Sequence, residues 1–415
     1  MEVDQTRLEH EIDTLAAFSD TETPSVTRVV FSEQDAKARA WLETRLLDAG
    51  LTVRSDAVGN TFACWQGSKP DLPAVATGSH VDAIPFAGKY DGVVGVLGGL
   101  EAIRVLQRTG FKPERSIELI VFTSEEPTRF GLGCLGSRLM SGVLAPDAAR
   151  KLLDDNGETL DTIRGRAGYS GSLESVRLPQ GEYSAFLELH IEQGPILERE
   201  RVPLGIVTDI AAPASFRILI EGEGGHAGSR LMPGRRDALC AAAEIILAVE
   251  RSALATGTVD TVATVGICQV HPGAVNSIPS SVLLTVDLRD TDAERRERVQ
   301  EGIFATSREV AGRRGVSISL ESVNADPPAQ SSPEVLTALV GACEAEGIGF
   351  RKMVSRAYHD SSFMARIAPV AMLFIPCRGG ISHRPDEYSS PEDISRGVRV
   401  LARTLASLAG HAGKS

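Results

Sequence analysis

The chain has 415 residues, 42% of them hydrophobic, enough for about two domains with well-formed cores. Lys and Arg total 43 against 55 Asp and Glu, and the net charge of −12 argues against nucleic acid or an anionic membrane as partner. Six cysteines (Cys64, Cys134, Cys240, Cys268, Cys343 and Cys377) without a CxxC spacing favour reduced thiols over disulfides or zinc knuckles.

The first twenty residues, MEVDQTRLEHEIDTLAAFSD, are acidic and helix-like, without the charged start and apolar core of a signal peptide. No apolar run approaches the roughly 20 residues of a membrane span, so a cytoplasmic protein is expected. SEQDAKARAWLETRLLDAG has helical periodicity ending at Gly50. The strand-like run LPAVATGSH ends at His80, with Asp82 and Asp91 following, and DGVVGVLGGLEAIRVLQRTG predicts a helix that starts with an aspartate and ends with a glycine. SIELIVFTSEE ends on Glu125 and Glu126, and YSAFLELH ends on His190, shortly before Gln193. Continuous apolar strands of this kind suit a sheet buried on both faces, so a helix-covered, mixed or largely parallel α/β sheet is expected to carry the catalytic site.

Near Pro213 the pattern changes. Strand SFRILIEG, helix RRDALCAAAEIILAVERSAL, strands TVATVGICQV and SVLLTVDLRD, helix AERRERVQEGIFATSREVAG and strand VSISLESV follow in a βαββαβ order, which predicts an inserted ferredoxin-like α+β domain. The proline-rich DPPAQSSP marks the return, giving a catalytic domain of 1–211 and 329–415 around an insert of 212–328. PVAMLFIP then leads to His383 in GGISHRPDEYSS.

Five potential metal ligands therefore occur in order on short apolar or glycine-flanked segments: His80, Asp91, Glu126, His190 and His383. A lone HxD is common, an EE pair is more often a solvated surface pair, and one histidine can be a core residue. The weight comes from the set, because in open α/β sheets ligands bind beyond the carboxyl ends of the strands. One bridging carboxylate and two terminal ligands per ion suit a pair of divalent cations about 3.5–4 Å apart that share and activate a water. Asp91 can bridge, Glu125 is the spare carboxylate and candidate general base, and Asp82 can accept the other imidazole N–H of His80. Imidazole and carboxylate donors without thiolate suit zinc, manganese or cobalt.

The insert carries a second group: His226 in GGHAG, Asn276 in HPGAVNSIPS and Arg289 in DLRD. An Arg fork pairs bidentately with a carboxylate, and Asn276 can hydrogen-bond the same end of a substrate. The competing reading gives Arg289 a structural ion pair with Asp287 or Asp290. His226, flanked by glycines, can donate to a developing oxyanion. Gln193 and His359, in AYHDS, are further substrate-binding candidates, although His359 reads equally as a packing residue.

At these residues the chain resembles the dinuclear-metal amidohydrolases of the M20 peptidase superfamily, in the hydantoinase/carbamoylase branch, from about Ala40 to the last helix. That branch has a histidine where related aminoacylases carry an acidic ligand, and His190 in ELHIEQG fits it. GKYDGVVGVLGGLEA, FTSEEPTRFGLGCLGSR, FLELHIEQGPILE, AAPAS, RAYHDSSFMARI and EYSSPED are most similar to its ureidoglycolate-cleaving members, whereas Cys377 to His383 reads more like the carbamoylase and allantoate enzymes. The resemblance implies hydrolysis of the ureido C–N bond of a small ureido acid. Ureidoglycolate is the expected substrate, giving glyoxylate, ammonia and carbon dioxide; N-carbamoyl-L-amino acids and allantoate are the alternatives. It also implies two divalent ions per subunit, manganese first with zinc or cobalt as alternatives, and a homodimer. The insert would then act as a lid and dimerisation domain, with His226 and Asn276 completing the site of the partner subunit. A non-catalytic binding paralogue, the remaining alternative, would be expected to lose ligands or the base.

Overall fold

The apolar runs that lead to the candidate ligands are all strands in the computed structural model, which describes residues 1–411. Ala74–His80, Ile117–Phe122, Tyr183–Ile191 and Val370–Ile375 lie side by side and parallel, in the order 117–122, 74–80, 183–191, 370–375. Antiparallel strands flank them: Thr61–Trp65 and then Thr52–Ser55 beyond Ile117–Phe122, and Leu204–Ile210 beyond Val370–Ile375. With Phe350–Ser355 and the short Ala329–Gln330, this is a mixed sheet of nine strands.

Successive residues of a strand face opposite sides of a sheet. Leu119 and Val121 join the core formed with helices Val93–Arg108 and Pro391–Ala409, while Ile120 and Phe122 join the one formed with helix Leu135–Ser141. All six residues of Ile117–Phe122 are buried, which explains why the run is apolar on both faces instead of alternating; its one charged residue, Glu118, accepts the Tyr183 hydroxyl.

Helix Glu33–Asp48 begins as its sequence predicts, with the Ser32 hydroxyl accepting the Asp35 N–H, and Gly50 follows it at φ +75°. Helix Val93–Arg108 departs from expectation. Its N-cap is Gly92, without a side-chain capping bond, because Asp91 turns its carboxylate toward His190 and His383. Gly92 sits at φ +66°, and a Cβ there would lie 2.5 Å from His80 Nε2, so both the turn and the close approach require glycine.

Two buried arginines hold the sheet beneath the candidate ligands. Arg28 donates from Nε to Val81 O at 2.6 Å and from Nη1 to Leu15 O and Phe18 O, and burial pushes its guanidinium down to about 10. Arg39 donates to Phe122 O and Gly59 O, both at 3.1 Å, and pairs with Asp35. The carbonyls of Val81 and Phe122 lie at the carboxyl ends of two strands that lead to metal-ligand candidates.

The chain divides into two units. The first comprises Met1–Thr208, Gln330–Met353 and the residues from His359 onward; the second comprises Asp209–Ala329 and Val354–Tyr358. In the second unit, Ala212–Glu221, Val262–His271, Ser281–Asp290 and Ser317–Ala325 form an antiparallel sheet ordered 262–271, 281–290, 212–221, 317–325. Helices Ala238–Leu254 and Ala293–Arg314 complete the βαββαβ order, and alternate strand residues such as Ile218, Leu284 and Val286 are buried in one core with them. The sequence division put 1–211 and 329–415 in the first domain; residues 209–211 and 329 fall instead in the second unit, and one internal segment departs as well. Val354–Tyr358 groups with the second unit because Ala211 donates to Ser355 O (2.8 Å), Tyr358 to Asp326 (2.7 Å) and Arg356 to Asp260 (2.6 Å).

All six cysteines are free, as their spacing suggested. No helix among the described residues is long and apolar enough to cross a membrane.

Candidate metal centre

His80 is the last residue of its strand, Glu125 and Glu126 follow the neighbouring strand closely, and His190 lies one residue before the end of the third. Asp91 precedes the N-terminus of helix Val93–Arg108, and His383 comes from the loop after Val370–Ile375, in the left-handed region at φ +58°. These segments bring the five candidates into two groups that share one residue. His80, Asp91 and His190 form one; Asp91, Glu126 and His383 form the other; within each, the potential donor atoms lie no more than 4.8 Å apart.

Asp91 contacts the two groups through different oxygens. Oδ1 lies 3.1 Å from His190 Nε2 and 3.7 Å from His80 Nε2, while Oδ2 lies 3.2 Å from His383 Nε2. Glu126 Oε1 is also 3.2 Å from His383 Nε2. The second ring nitrogen of His80 and of His190 faces a backbone carbonyl at 3.0 Å, that of Asp82 and of Ile191 respectively. A carbonyl there places the remaining proton on Nδ1 and leaves Nε2 to donate its lone pair, the state a ligating imidazole needs.

The electrostatics fit cations. Burial would raise the Asp91 carboxyl, yet His190 and His383 hold it well below the usual carboxylate range. Burial would lower His190, but its bond to Asp91 carries it up to about 9, and Asp91 and Glu126 carry His383 up to about 11. The carboxylate field that draws protons onto these imidazoles is the field that draws divalent cations into the same positions. Two nitrogen-and-oxygen donor trios around one shared, buried carboxylate thus suit a pair of divalent ions.

Glu125 stands beside this set, with Oε2 3.6 Å from His80 Nε2 and Oε1 3.6 Å from the Cys134 thiol. Burial, with Glu126, Asp360, Asp91 and Asp82 nearby, pushes its carboxyl well above the ordinary range. Asp82 does something other than the sequence suggested. Its backbone oxygen meets His80 Nδ1, while its carboxylate, 3.8 Å from that nitrogen, accepts the backbone N–H of Glu125 at 3.3 Å and of Glu126 at 3.0 Å. A short HxD loop puts the carbonyl nearer the ring, and frees the carboxylate to fix the adjacent glutamate pair.

The other candidates divide between the units. Gln193, at φ +54°, donates from Nε2 to Asp91 Oδ2 at 2.8 Å, and His359 is buried with its ring centroid 4.5 Å from that of His190. In the second unit, His226 and Asn276 come together: residues 226 and 277 pair across a short bridge, and Ala227 donates to Asn276 O at 2.9 Å. Both are exposed. Arg289 is at the far end of Ser281–Asp290, and its fork takes Asp287 in the pair that the competing reading foresaw, Nε to Oδ1 at 2.9 Å and Nη2 to Oδ2 at 3.2 Å.

Sequence reasoning missed three buried acids. Glu188 accepts from the Ser79 and Ser361 hydroxyls, Asp360 accepts from the Ser137 hydroxyl, and Glu387 accepts the N–H groups of Tyr90 and Asp91. Burial and then Asp91 push Glu387 up to about 7. Glu188, a charge in the otherwise apolar run AFLELH, carried a visible signal; the other two carried none.

An α/β fold whose strand ends converge on two candidate cation-binding trios and a spare glutamate defines a candidate dinuclear metallohydrolase. The pattern of peptidase family M20/M25/M40 matches residues 76–407, and the chain belongs to that family. It is 54% identical over 413 residues to the ureidoglycolate hydrolase of Oryza sativa subsp. japonica, covering 98% of this chain and 85% of that one. Among solved structures, that of AtUAH in complex with glyoxylate aligns with a TM-score of 0.90 at 53% identity, over 99% of this chain and 98% of that one. An amidase of the hydantoinase/carbamoylase family from Burkholderia multivorans aligns with a TM-score of 0.88 at 36% identity, over 98% of each chain.

Proposed function

We propose that this chain is an amidohydrolase that cleaves the ureido C–N bond of ureidoglycolate, giving glyoxylate, ammonia and carbon dioxide. The observation that carries the reading is that the five candidate ligands come together with Glu125 beside them, in a chain 54% identical to a ureidoglycolate hydrolase. That completeness also speaks against a non-catalytic paralogue.

His80, Asp91 and His190 would hold one divalent ion, and Asp91, Glu126 and His383 the other, with manganese the first choice and zinc or cobalt fitting the same donors. When bound, such a pair polarises the carbonyl of the substrate and makes water acidic near neutral pH. Glu125 takes the proton of the attacking water and returns it to the leaving nitrogen; its raised proton affinity suits both halves of that transfer. Asp82 holds the backbone of Glu125 and Glu126 in register for this step. Gln193 Oε1 is buried without a partner among the described residues, and can accept a substrate N–H. His359, packed on His190, contacts the substrate from the same side.

His226 Nδ1 accepts the backbone N–H groups of Gly228 (3.1 Å) and Ser229 (3.2 Å). The neutral ring therefore carries its proton on Nε2, as a donor for the developing oxyanion. Asn276 and Arg289 anchor the carboxylate end, the Arg289 fork exchanging its pair with the half-exposed Asp287 for the substrate. The eight residue steps from Ser281 to Arg289 span roughly 27 Å of extended strand, so Arg289 and the His226–Asn276 pair of one chain cannot both touch a small ureido acid. This separation supports a symmetric dimer in which His226 and Asn276 serve the other copy and the inserted unit acts as lid and dimerisation domain.

Two experiments test the reading. Steady-state kinetics of the manganese-loaded protein, following ammonia, should give the highest kcat/KM on ureidoglycolate among ureidoglycolate, allantoate and a set of N-carbamoyl-L-amino acids. A higher value on either of the others would replace the substrate. For the dimer, chains carrying only His226→Ala and only Glu125→Gln should each be nearly inactive alone and regain about a quarter of wild-type activity after subunit exchange, because half the mixed dimers contain one intact site. Demonstrated exchange without recovery would place His226 in its own chain's site or outside the reaction.

A further inference from the structure

We infer that Glu387 is the positioning residue of the shared carboxylate, fixing Asp91 at both its backbone and its side chain and tying it to the loop that carries His383. The inference rests on the two-cation reading above.

Glu387 is 4% exposed. Its Oε1 accepts the N–H of Tyr90 at 2.9 Å and of Asp91 at 3.1 Å, across nearly 300 residues of sequence. Its Oε2 lies 2.8 Å from Ser382 Oγ, which is itself 2.8 Å from Asp91 Oδ2. The contacts close a ring that runs from the Asp91 amide through Glu387 and Ser382 to the Asp91 carboxylate. Such a ring defines the rotamer of one side chain, and the side chain it defines is the one residue common to both donor trios. Ser382 precedes His383, so the same ring sets the distance between Asp91 and the ligand of the second trio.

The chain around it is shaped to admit this acid. A Cβ on Gly88 would lie 2.4 Å from Glu387 Cβ and 2.5 Å from its Oε1, so the loop leading to Asp91 can approach Glu387 only with glycine there. A buried acid serving general packing would spread its bonds over the scaffold. The two backbone N–H groups accepted by Glu387 belong to Asp91 and the residue before it, and its hydroxyl contact leads back to Asp91.

Partners that orient metal ligands typically change affinity about 10–100-fold when removed. Calorimetric titration of the metal-free full-length chain with Mn²⁺ should therefore show Glu387→Ala binding manganese about 10–100-fold more weakly than wild type. Its metal-free Tm should fall only modestly, by the cost of leaving the buried Tyr90 and Asp91 N–H groups without their acceptor, and activity should return in part at excess manganese. Glu387→Gln should retain most of the affinity, because its amide oxygen still accepts the two N–H groups. Glu387→Ala that binds two ions with wild-type affinity overturns the inference, as does Glu387→Gln falling as far as Glu387→Ala. Should Glu387→Ala fail to fold, Gly88→Ala decides, since it displaces the carboxylate without removing it: weakened manganese binding supports the inference, and unchanged binding overturns it. If wild type itself binds fewer than two ions, the two-cation reading fails instead, and the variants are not needed to show it.

Discussion

Glu125→Gln is expected to keep the fold and both cations while losing about 10²- to 10⁴-fold in kcat, the usual range for removal of a positioned acid–base group. The substitution is nearly isosteric. Its amide oxygen still accepts the Cys134 thiol, and its backbone remains held by Asp82 and by the Cys134 N–H donating to Glu125 O at 2.8 Å. What it cannot do is take up a proton and give it back. The loss should therefore fall on kcat with KM little changed, and metal analysis should still find two ions per chain. Wild-type turnover in this variant would assign the base elsewhere.

Asp91→Ala should be more damaging, because one carboxylate serves both trios. Each cation would retain only two protein ligands; His190 would lose the counter-charge that raises its proton affinity, and His383 one of its two. Gln193 Nε2 and Ser382 Oγ would lose their acceptor on Asp91 as well. Protein loaded under excess manganese should approach two ions per chain for wild type and close to none for the variant, with turnover abolished. Two ions per chain and full activity without Asp91 would sink the shared-carboxylate assignment.

How much of this was legible in the sequence depends on how local each signal is. A strand that leads to a candidate ligand declares itself, because an apolar run stops near a polar residue: His80 closes its strand, His190 comes one residue before the end of its own, and Glu126 follows four residues after Phe122. His383 was found through the strand before it, although it lies on a loop eight residues beyond Ile375. Asp91 could be placed as a bridging candidate, but its neighbouring glycine was read as part of a helix with an aspartate start, and only packing against His80 explains why Gly92 occupies the cap. Asp82 was assigned to the right neighbourhood with the wrong bond, since HxD spacing does not tell which oxygen of the aspartate, side chain or backbone, reaches the ring. Arg289 shows the reverse: the ion pair with Asp287 was foreseen because the partner is two residues away on the same strand face. Glu387 was beyond reach, since its meaning comes from Tyr90 and Asp91, almost 300 positions earlier.

The two buried arginines bear on where a working module begins. The family pattern starts at residue 76, after Arg28 and Arg39, and the region it matches contains all five donors and Glu125. A fragment trimmed to that pattern would keep every one of them. It would also strip the guanidinium donors from the carbonyls of Val81 and Phe122, and a buried acceptor left without its donor typically costs about 1–3 kcal/mol. Anyone transplanting this centre into another scaffold, or shortening the chain for expression, would do better to draw the boundary upstream of Arg28 than at the first recognisable motif.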